Sequence, residues 1–234
     1  MVGAEICGFS KDTTEELGNR WIQLGSFYPF ARDHSDKGTI RKDLYLWESV
    51  TRSTGKELGL WYRLLPYIYT LSFEAHTKGS PIARPLFFTF PEDPNTLGIN
   101  TQFLLGKRVL VSPVLKQGAS TVDYYFPKGT WYNLYNISDS IIVESSSYVS
   151  LLAPLDTINV HVYEGTIFSM QEMGMTTREA RRSPFSLVVA LVGKMEAYGD
   201  LYVDNVEDFG NGNRAWQVKL YRVLCRYCRR RSES

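Results

Sequence analysis

Near the start of the chain, Glu5, Asp12, Asp33 and His34 are the side chains best suited to chemistry. Two carboxylates flanking a scissile bond can serve as acid and as nucleophile or base. Glu5 sits inside the apolar segment VGAEICGF, where a lone buried carboxylate is costly without a partner. Arg32, on the next apolar segment, is the expected partner. A structural ion pair is the simpler role for Glu5, and a catalytic acid is the alternative. His34 follows Arg32 and Asp33 directly after FYPFA. At the C-terminal end of a barrel strand, a residue in this position faces the active site. There the histidine could donate a hydrogen bond to a ligand hydroxyl; otherwise it is a loop histidine with a local partner.

Other chemistries find little support. His76 falls on an expected helix and His161 in an expected strand, both read as structural or surface residues. The sequence contains no G-x-S-x-G elbow, phosphate loop or dinucleotide fingerprint. The three cysteines, Cys7, Cys225 and Cys228, make no disulfide framework. Cys225 and Cys228 have C-x-x-C spacing, but zinc takes about four ligands and no second pair exists, so no metal or other cofactor is expected. Asn136-Ile137-Ser138 is an N-glycosylation sequon, meaningful if the chain is secreted.

The elements that would position these residues follow from periodicity. Residues 2–9 read as a short buried strand ending at Gly8. Thr13 and Glu16 form a capping-box pattern, so a helix is expected from about Thr14, with Leu17, Trp21 and Leu24 as its apolar stripe. Gly25 ends it, and FYPFA makes a second strand. A short helix is possible over Asp43–Val50. A longer one is expected from Lys56 to His76, kinked at Pro66 and capped by Gly79. After Pro81 come short β-rich segments punctuated by Gly, Pro, Asn and Asp, the signature of β-sandwich structure. The pattern fades after Asn211.

Length, at 234 residues, allows one large domain or two small ones, and the 44% hydrophobic and 22% charged content is ordinary for a globular protein. Fifteen tyrosines and twelve phenylalanines suit aromatic strand cores or carbohydrate-contacting surfaces, with strand cores the simpler reading. A net charge of +1 gives a nucleic-acid partner no electrostatic support. The basic run CRYCRRRSES reads as a solvated tail. No apolar run approaches the roughly 20 residues of a membrane span, so no membrane partner is expected. Met1 leads into VGAEICGF without a signal-peptide pattern, and such a core-like start suggests a fragment.

GAEICGF (Gly3 to Phe9), TTEELGNRWIQLGSFYPFARDHS (Thr13 to Ser35), YRLLPYIYTLSFEAH (Tyr62 to His76), PIARPLFFTFPED (Pro81 to Asp93), QFLLGKRVLVSPVL (Gln102 to Leu115) and YYFPKGTWYNLY (Tyr124 to Tyr135) together resemble glycoside hydrolase family 31, most closely its plant α-glucosidase and α-xylosidase branch. The likeness extends over residues 2–205. It implies an α/β plus all-β chain: the C-terminal end of a (β/α)8 TIM barrel over 1–80, a proximal β-sandwich over 81–171 and a truncated distal β domain over 172–234. It implies a retaining, exo-acting mechanism on α-linked glucosides or xylosides, run by two aspartates on earlier barrel strands that this chain lacks. The chain alone is therefore expected to be inactive. Phe9 and His34 match positions that line the subsite of the cleaved sugar, and Arg32 matches an arginine supporting that wall. A complementary chain carrying the missing strands is a conceivable partner, and full-length relatives are expected to be secreted or vacuolar. Three departures stand out, one of them being that the chain leaves the family pattern after about Asn211 and ends in a basic tail. Glu5 replaces the aspartate of the family's GAD motif, one methylene too long for a packed site. Gly18 stands where the family often has a cysteine able to bridge to Cys7. Alternative readings are a non-catalytic carbohydrate-binding protein and a pseudo-enzyme partner.

Overall fold

The structure is a computed structural model that describes residues 3–191, 196–204 and 219–226, the last as backbone alone. Cys225 and Arg226, which begin the expected basic tail, end a strand, and the rest of the tail with Cys228 lies outside the described residues. The chain opens with a βαβ unit. Strand β1 (Glu5–Ile6) and strand β2 (Arg32–Asp33) pair in parallel, with Glu5 opposite Arg32 and Ile6 opposite Asp33. Helix α1 (Glu15–Gly25) connects them. Both strands are shorter than expected, and FYPFA itself is a bend. A side-chain carbon on Gly3 would lie 1.8 Å from the Phe30 carbonyl oxygen, so only glycine allows the two segments to approach this closely.

The α1 cap is Thr14, one residue beyond the capping box read from Thr13; its Oγ1 accepts the Leu17 N–H at 3.2 Å. The buried face also differs from the expected Leu17 stripe. Gly18, Asn19, Ile22, Gln23 and Gly25 are buried, while Leu17 is 39% exposed. Small residues face inward because α1 lies close against its neighbours: Gly18 against Val50 and Cys7, Gly25 against Ile6.

The expected helix from Lys56 to His76 is two helices. Helix α2 (Glu48–Arg63) absorbs part of the short helix expected over Asp43–Val50, and helix α3 (Leu65–Lys78) follows after Leu64. Pro66 sits in the first turn of α3, where its missing N–H costs nothing, so it starts a helix instead of kinking one. Gly79 closes α3 in the left-handed conformation at φ 69°, as expected.

Strands β3 (Ala83–Arg84), β4 (Phe103–Leu105), β5 (Val109–Ser112), β7 (Gly129–Asn133), β8 (Ser140–Val143) and β10 (Asn159–Tyr163) form a six-stranded sheet in the order β3-β4-β5-β10-β7-β8. Strands β6 (Thr121–Phe126) and β9 (Ser147–Leu152) pair as a second sheet. Between them lies an aromatic core of Tyr124, Tyr125, Phe126 and Trp131 with Leu104 and Leu110. These aromatics are strand core, as the simpler reading held. Strands β11 (Thr166–Met170), β12 (Ser186–Ala190), β13 (Glu196–Val203) and β14 (Lys219–Arg226) form a four-stranded sheet in the order β12-β11-β13-β14. Short helix α4 (Thr177–Arg182) precedes β12. β14 pairs along the whole of β13, so regular structure resumes where the sequence pattern had faded.

Helices and sandwich share one core, in which Phe27, Leu64 and Leu71 meet Leu105, Val160 and Phe168. The polar attachment is more specific. Arg20 on α1 donates from Nη1 to the carbonyls of Pro154 (2.8 Å) and Thr157 (3.2 Å), and from Nη2 to those of Ala119 (3.1 Å) and Ala153 (2.7 Å). Gln23 donates to Leu155 O at 2.7 Å and Lys56 to Asp156 O at 3.0 Å, so three helical side chains hold one loop. Arg20→Met keeps the stem but strands four carbonyls. We expect a loss of roughly 2–4 kcal/mol in urea denaturation of the full chain, with no recovery in Arg20→Lys, which lacks the planar fork.

His161 is buried in the central strand β10 and meets Phe126 edge-on at 5.1 Å; its Nδ1 has no hydrogen-bond partner. Burial pushes its pKa down to about 4, against a small opposing pull from Asp139. The unfolded chain, with an ordinary histidine near 6.5, takes up the proton first. Stability from this group is therefore full above about pH 6.5 and is lost as pH falls toward 4. Denaturation midpoints at pH 7 and pH 5 should show this group costing about 2 kcal/mol at the lower pH, a component that His161→Phe removes.

Candidate functional site

The site residues lie just past the C-terminal ends of the two parallel strands. After β1 the chain turns sharply: Gly8 N–H donates to Glu5 O at 2.9 Å, with Cys7 at φ 63° and Gly8 at φ 73°. A glycine takes such angles freely, but Cys7 at positive φ costs on the order of 1 kcal/mol. This double left-handed turn delivers Phe9. After β2, His34 comes to the same place. The Phe9 and His34 rings stack at 5.3 Å with an interplanar angle of 11°. Both rings are exposed, Phe9 at 44%. The two residues that the resemblance paired thus lie against each other, ring on ring.

Glu5 and Arg32 make the expected ion pair at 3.6 Å, following directly from their register in the β1–β2 ladder. Their side chains are 30% and 50% exposed, so the pair adds little stability. Only Oε1 of Glu5 reaches the arginine; Oε2 is buried with no hydrogen-bond partner. Asp12 is elsewhere engaged, accepting the Ile40 N–H at 2.8 Å and closing the loop that follows. Partial burial and the neighbouring Asp43 raise the Asp33 pKa above the ordinary carboxylate range, opposed by the His34 N–H and by Lys42.

Sequence reasoning missed Lys42. It lies in a polar stretch read as loop, yet it is 2% exposed. Its ammonium donates to Phe9 O at 2.7 Å, and its own N–H donates to Ser35 Oγ at 2.9 Å. Asp36 N–H also donates to Phe9 O, at 3.1 Å. One lysine therefore ties the segment bearing Phe9 to the one bearing His34. No local pattern marks such a lysine, because its burial arises only when the loop over 35–42 folds back across Phe9. His76, in contrast, is exposed on α3 and far from any such arrangement. Among the described residues no cluster of three or more His, Cys, Asp or Glu could hold a metal ion, and no helix is long and apolar enough to cross a membrane.

A parallel βαβ unit with a phenylalanine–histidine stack at its strand ends is thus joined to antiparallel sandwich sheets, the class of chain in which the end of an α/β barrel runs into β domains. Residues 1–71 match the TIM-barrel domain of glycosyl hydrolase family 31, and residues 79–168 match the C-terminal domain of the same family. The chain belongs to glycosyl hydrolase family 31. It is 58% identical over 223 residues to a probable alpha-glucosidase of Oryza sativa subsp. japonica, covering 94% of this chain and 25% of that protein. It is 46% identical to Alpha-xylosidase 1 of Arabidopsis thaliana, with 92% and 24% covered. Lysosomal alpha-glucosidases of Mus musculus and Rattus norvegicus are also among its relatives. Of solved structures, the glucosidase II alpha subunit in an alpha3-Glc2-bound form superposes with a TM-score of 0.88 at 32% identity, covering 96% of this chain and 24% of that one. A Flavobacterium johnsoniae dextranase complexed with glucose is a further structural neighbour. The chain thus spans about a quarter of the length of these relatives.

Cys7 is buried and free, and burial, helped by Asp33, pushes its thiol up to about 11. A side-chain carbon on Gly18 would lie 3.9 Å from Cys7 Sγ, with Val50 Cγ2 at 3.3 Å having to give way. Wild-type Cys7 should resist alkylation until the chain unfolds. Gly18→Cys should oxidise to a 7–18 disulfide, seen as two thiols lost, and raise stability by up to about 3 kcal/mol, reversed by reductant.

Proposed function

We propose that this chain supplies one wall of the sugar subsite of a retaining, exo-acting α-glycosidase, with the catalytic carboxylates contributed by barrel strands it does not contain. The observation that carries the reading is the Phe9–His34 stack at the C-terminal ends of β1 and β2, the face at which barrel enzymes do chemistry. A flat ring takes the apolar face of a pyranose, and an imidazole at its side can donate to a hydroxyl. Arg32 and Glu5 support this wall from the strands beneath, and Lys42 fixes the Phe9 backbone. The substrate class is an α-linked glucoside or xyloside, since both activities are named among the relatives.

Within this chain Glu5 pairs with Arg32 through Oε1, and Asp12 accepts from the Ile40 amide. The proposed division is a barrel part over 1–80, a proximal sandwich over 81–171 and a distal β domain over 172–234. Strand β11 falls within the proposed proximal range, yet among the described residues it pairs only in the four-stranded distal sheet. The natural partner is a polypeptide carrying the remaining barrel strands. The relatives' lysosomal and plant origins support a secretory or vacuolar route.

The test is hydrolysis of aryl α-glucoside and α-xyloside by the chain alone, and after co-expression with a family 31 segment carrying the rest of the barrel. The chain alone should be inactive and the pair active. His34→Ala in the pair should lower kcat/KM roughly 10- to 100-fold, the loss of one substrate hydrogen bond plus ring contact. Turnover by the isolated chain near that of the assembled pair would overturn the proposal, as would a His34→Ala pair with unchanged kcat/KM.

A further inference from the structure

The sequon read at Asn136-Ile137-Ser138 plays no part in the sugar subsite, and no other N-x-S/T sequence occurs in the chain. The structure places it on the turn between β7 and β8, at the edge of the six-stranded sheet. Residues 135–140 of this turn are all exposed. Asn136 O accepts the Asp139 N–H at 2.8 Å, which closes the turn. Asn136 Oδ1 accepts the Ser138 N–H at 3.4 Å. The asparagine's amide nitrogen, the atom that would carry a sugar, donates no hydrogen bond among the described residues. The base of the turn is anchored: Tyr135 donates from its hydroxyl to the buried Glu57 carboxylate, and the Lys56 ammonium sits 4.7 Å from the Tyr135 ring centre. A fixed base with a free, outward amide is the geometry that tolerates a bulky attachment after folding.

We propose that Asn136 is an N-glycosylation site whose glycan covers the β8 edge of the sandwich. The chemistry is transfer from a lipid-pyrophosphate-linked oligosaccharide. The Asn136 Nδ2 forms a bond to the anomeric carbon and loses a proton, while the bond from that carbon to the pyrophosphate oxygen breaks and the lipid pyrophosphate leaves. What the glycan covers is visible beside it. β8 is an edge strand with unpaired backbone groups, Ile142 is 70% exposed and Ile137 is 41% exposed. Edges of this kind invite pairing with another chain unless something bulky blocks them. The inference rests on the secretory route taken above, so the experiment separates entry from modification.

The full chain, placed behind a cleavable leader, is translated in the presence of microsomes and digested with protease. Protection reports entry into the lumen independently of any sugar. We expect the protected chain to carry one glycan, removed by peptide-N-glycanase with aspartate left at position 136. The glycan should be absent in Asn136→Gln and in Ser138→Ala, and retained in Ser138→Thr. A protected but unmodified wild-type chain would overturn the proposal, and so would a glycan that persists in Asn136→Gln. Light scattering of the glycosylated and enzymatically deglycosylated chains then reads the edge-covering role, with faster aggregation expected after deglycosylation and equal rates refuting that role.

Discussion

The arrangement depends first on one guanidinium. Arg20 gives its two terminal nitrogens to four carbonyls on two loops of the sandwich, at 2.7 to 3.2 Å. Loops that fold against a helix leave carbonyls without strand or helix partners, and buried carbonyls need donors. Arginine suits the task because its planar fork presents several N–H groups in fixed directions and cannot lose its charge. Gln23 on the same helix and Lys56 on α2 extend the grip along residues 153–157. The consequence reaches the site. α1 connects β1 to β2, so pinning α1 to the sandwich also fixes the two strand ends from which Phe9 and His34 project.

That positioning is fine-grained because each site residue has its own constraint. The parallel register sets Glu5 opposite Arg32 and makes their ion pair a product of backbone pairing. The left-handed turn at Cys7 and Gly8 re-aims the chain immediately after the strand. Lys42 then holds the Phe9 carbonyl from beneath. A buried ammonium is costly unless well placed, and here it buttresses the backbone of the exposed Phe9. Strain at Cys7 and burial at Lys42 both persist because the surrounding packing over-determines them.

The helical cap region, Gly79, the Glu5–Arg32 pair and the strand-rich second half were legible because each is a local signal: a cap motif, a left-handed glycine, opposite charges on neighbouring strands, β-branched and aromatic runs; the barrel half of the fold class was legible only through the family resemblance. Three things were not. The inward face of α1 is made of Gly18, Asn19, Ile22 and Gln23, and close packing against Val50, Cys7 and Ile6 overrode the Leu17 stripe. Pro66 reads as a kink in a long periodic stretch, yet a first-turn proline is equally a start signal, and only tertiary packing on Leu64 decides between them. Lys42 and Arg20 act across 33 to 137 residues of sequence, a range no local pattern encodes.

An exposed wall is half of a binding site. Phe9 and His34 present a ring face and a hydrogen-bonding edge, but water reaches both. A hydrogen bond made in water exchanges one partner for another and adds little, whereas the same bond in an enclosed site counts for more. Other apolar side chains of the βαβ unit and its following loop are similarly open, with Phe30 at 47% and Ile40 at 52% exposure. A two-stranded parallel sheet is also an uncommon free-standing unit, since parallel strands are ordinarily covered on both faces. Under the proposed function, affinity and catalysis at this wall therefore come from whatever encloses it. A segment that pairs with the open edges of β1 and β2 would at once bury the apolar flank, exclude water from the stack and bring carboxylates to the face where Phe9 and His34 already stand.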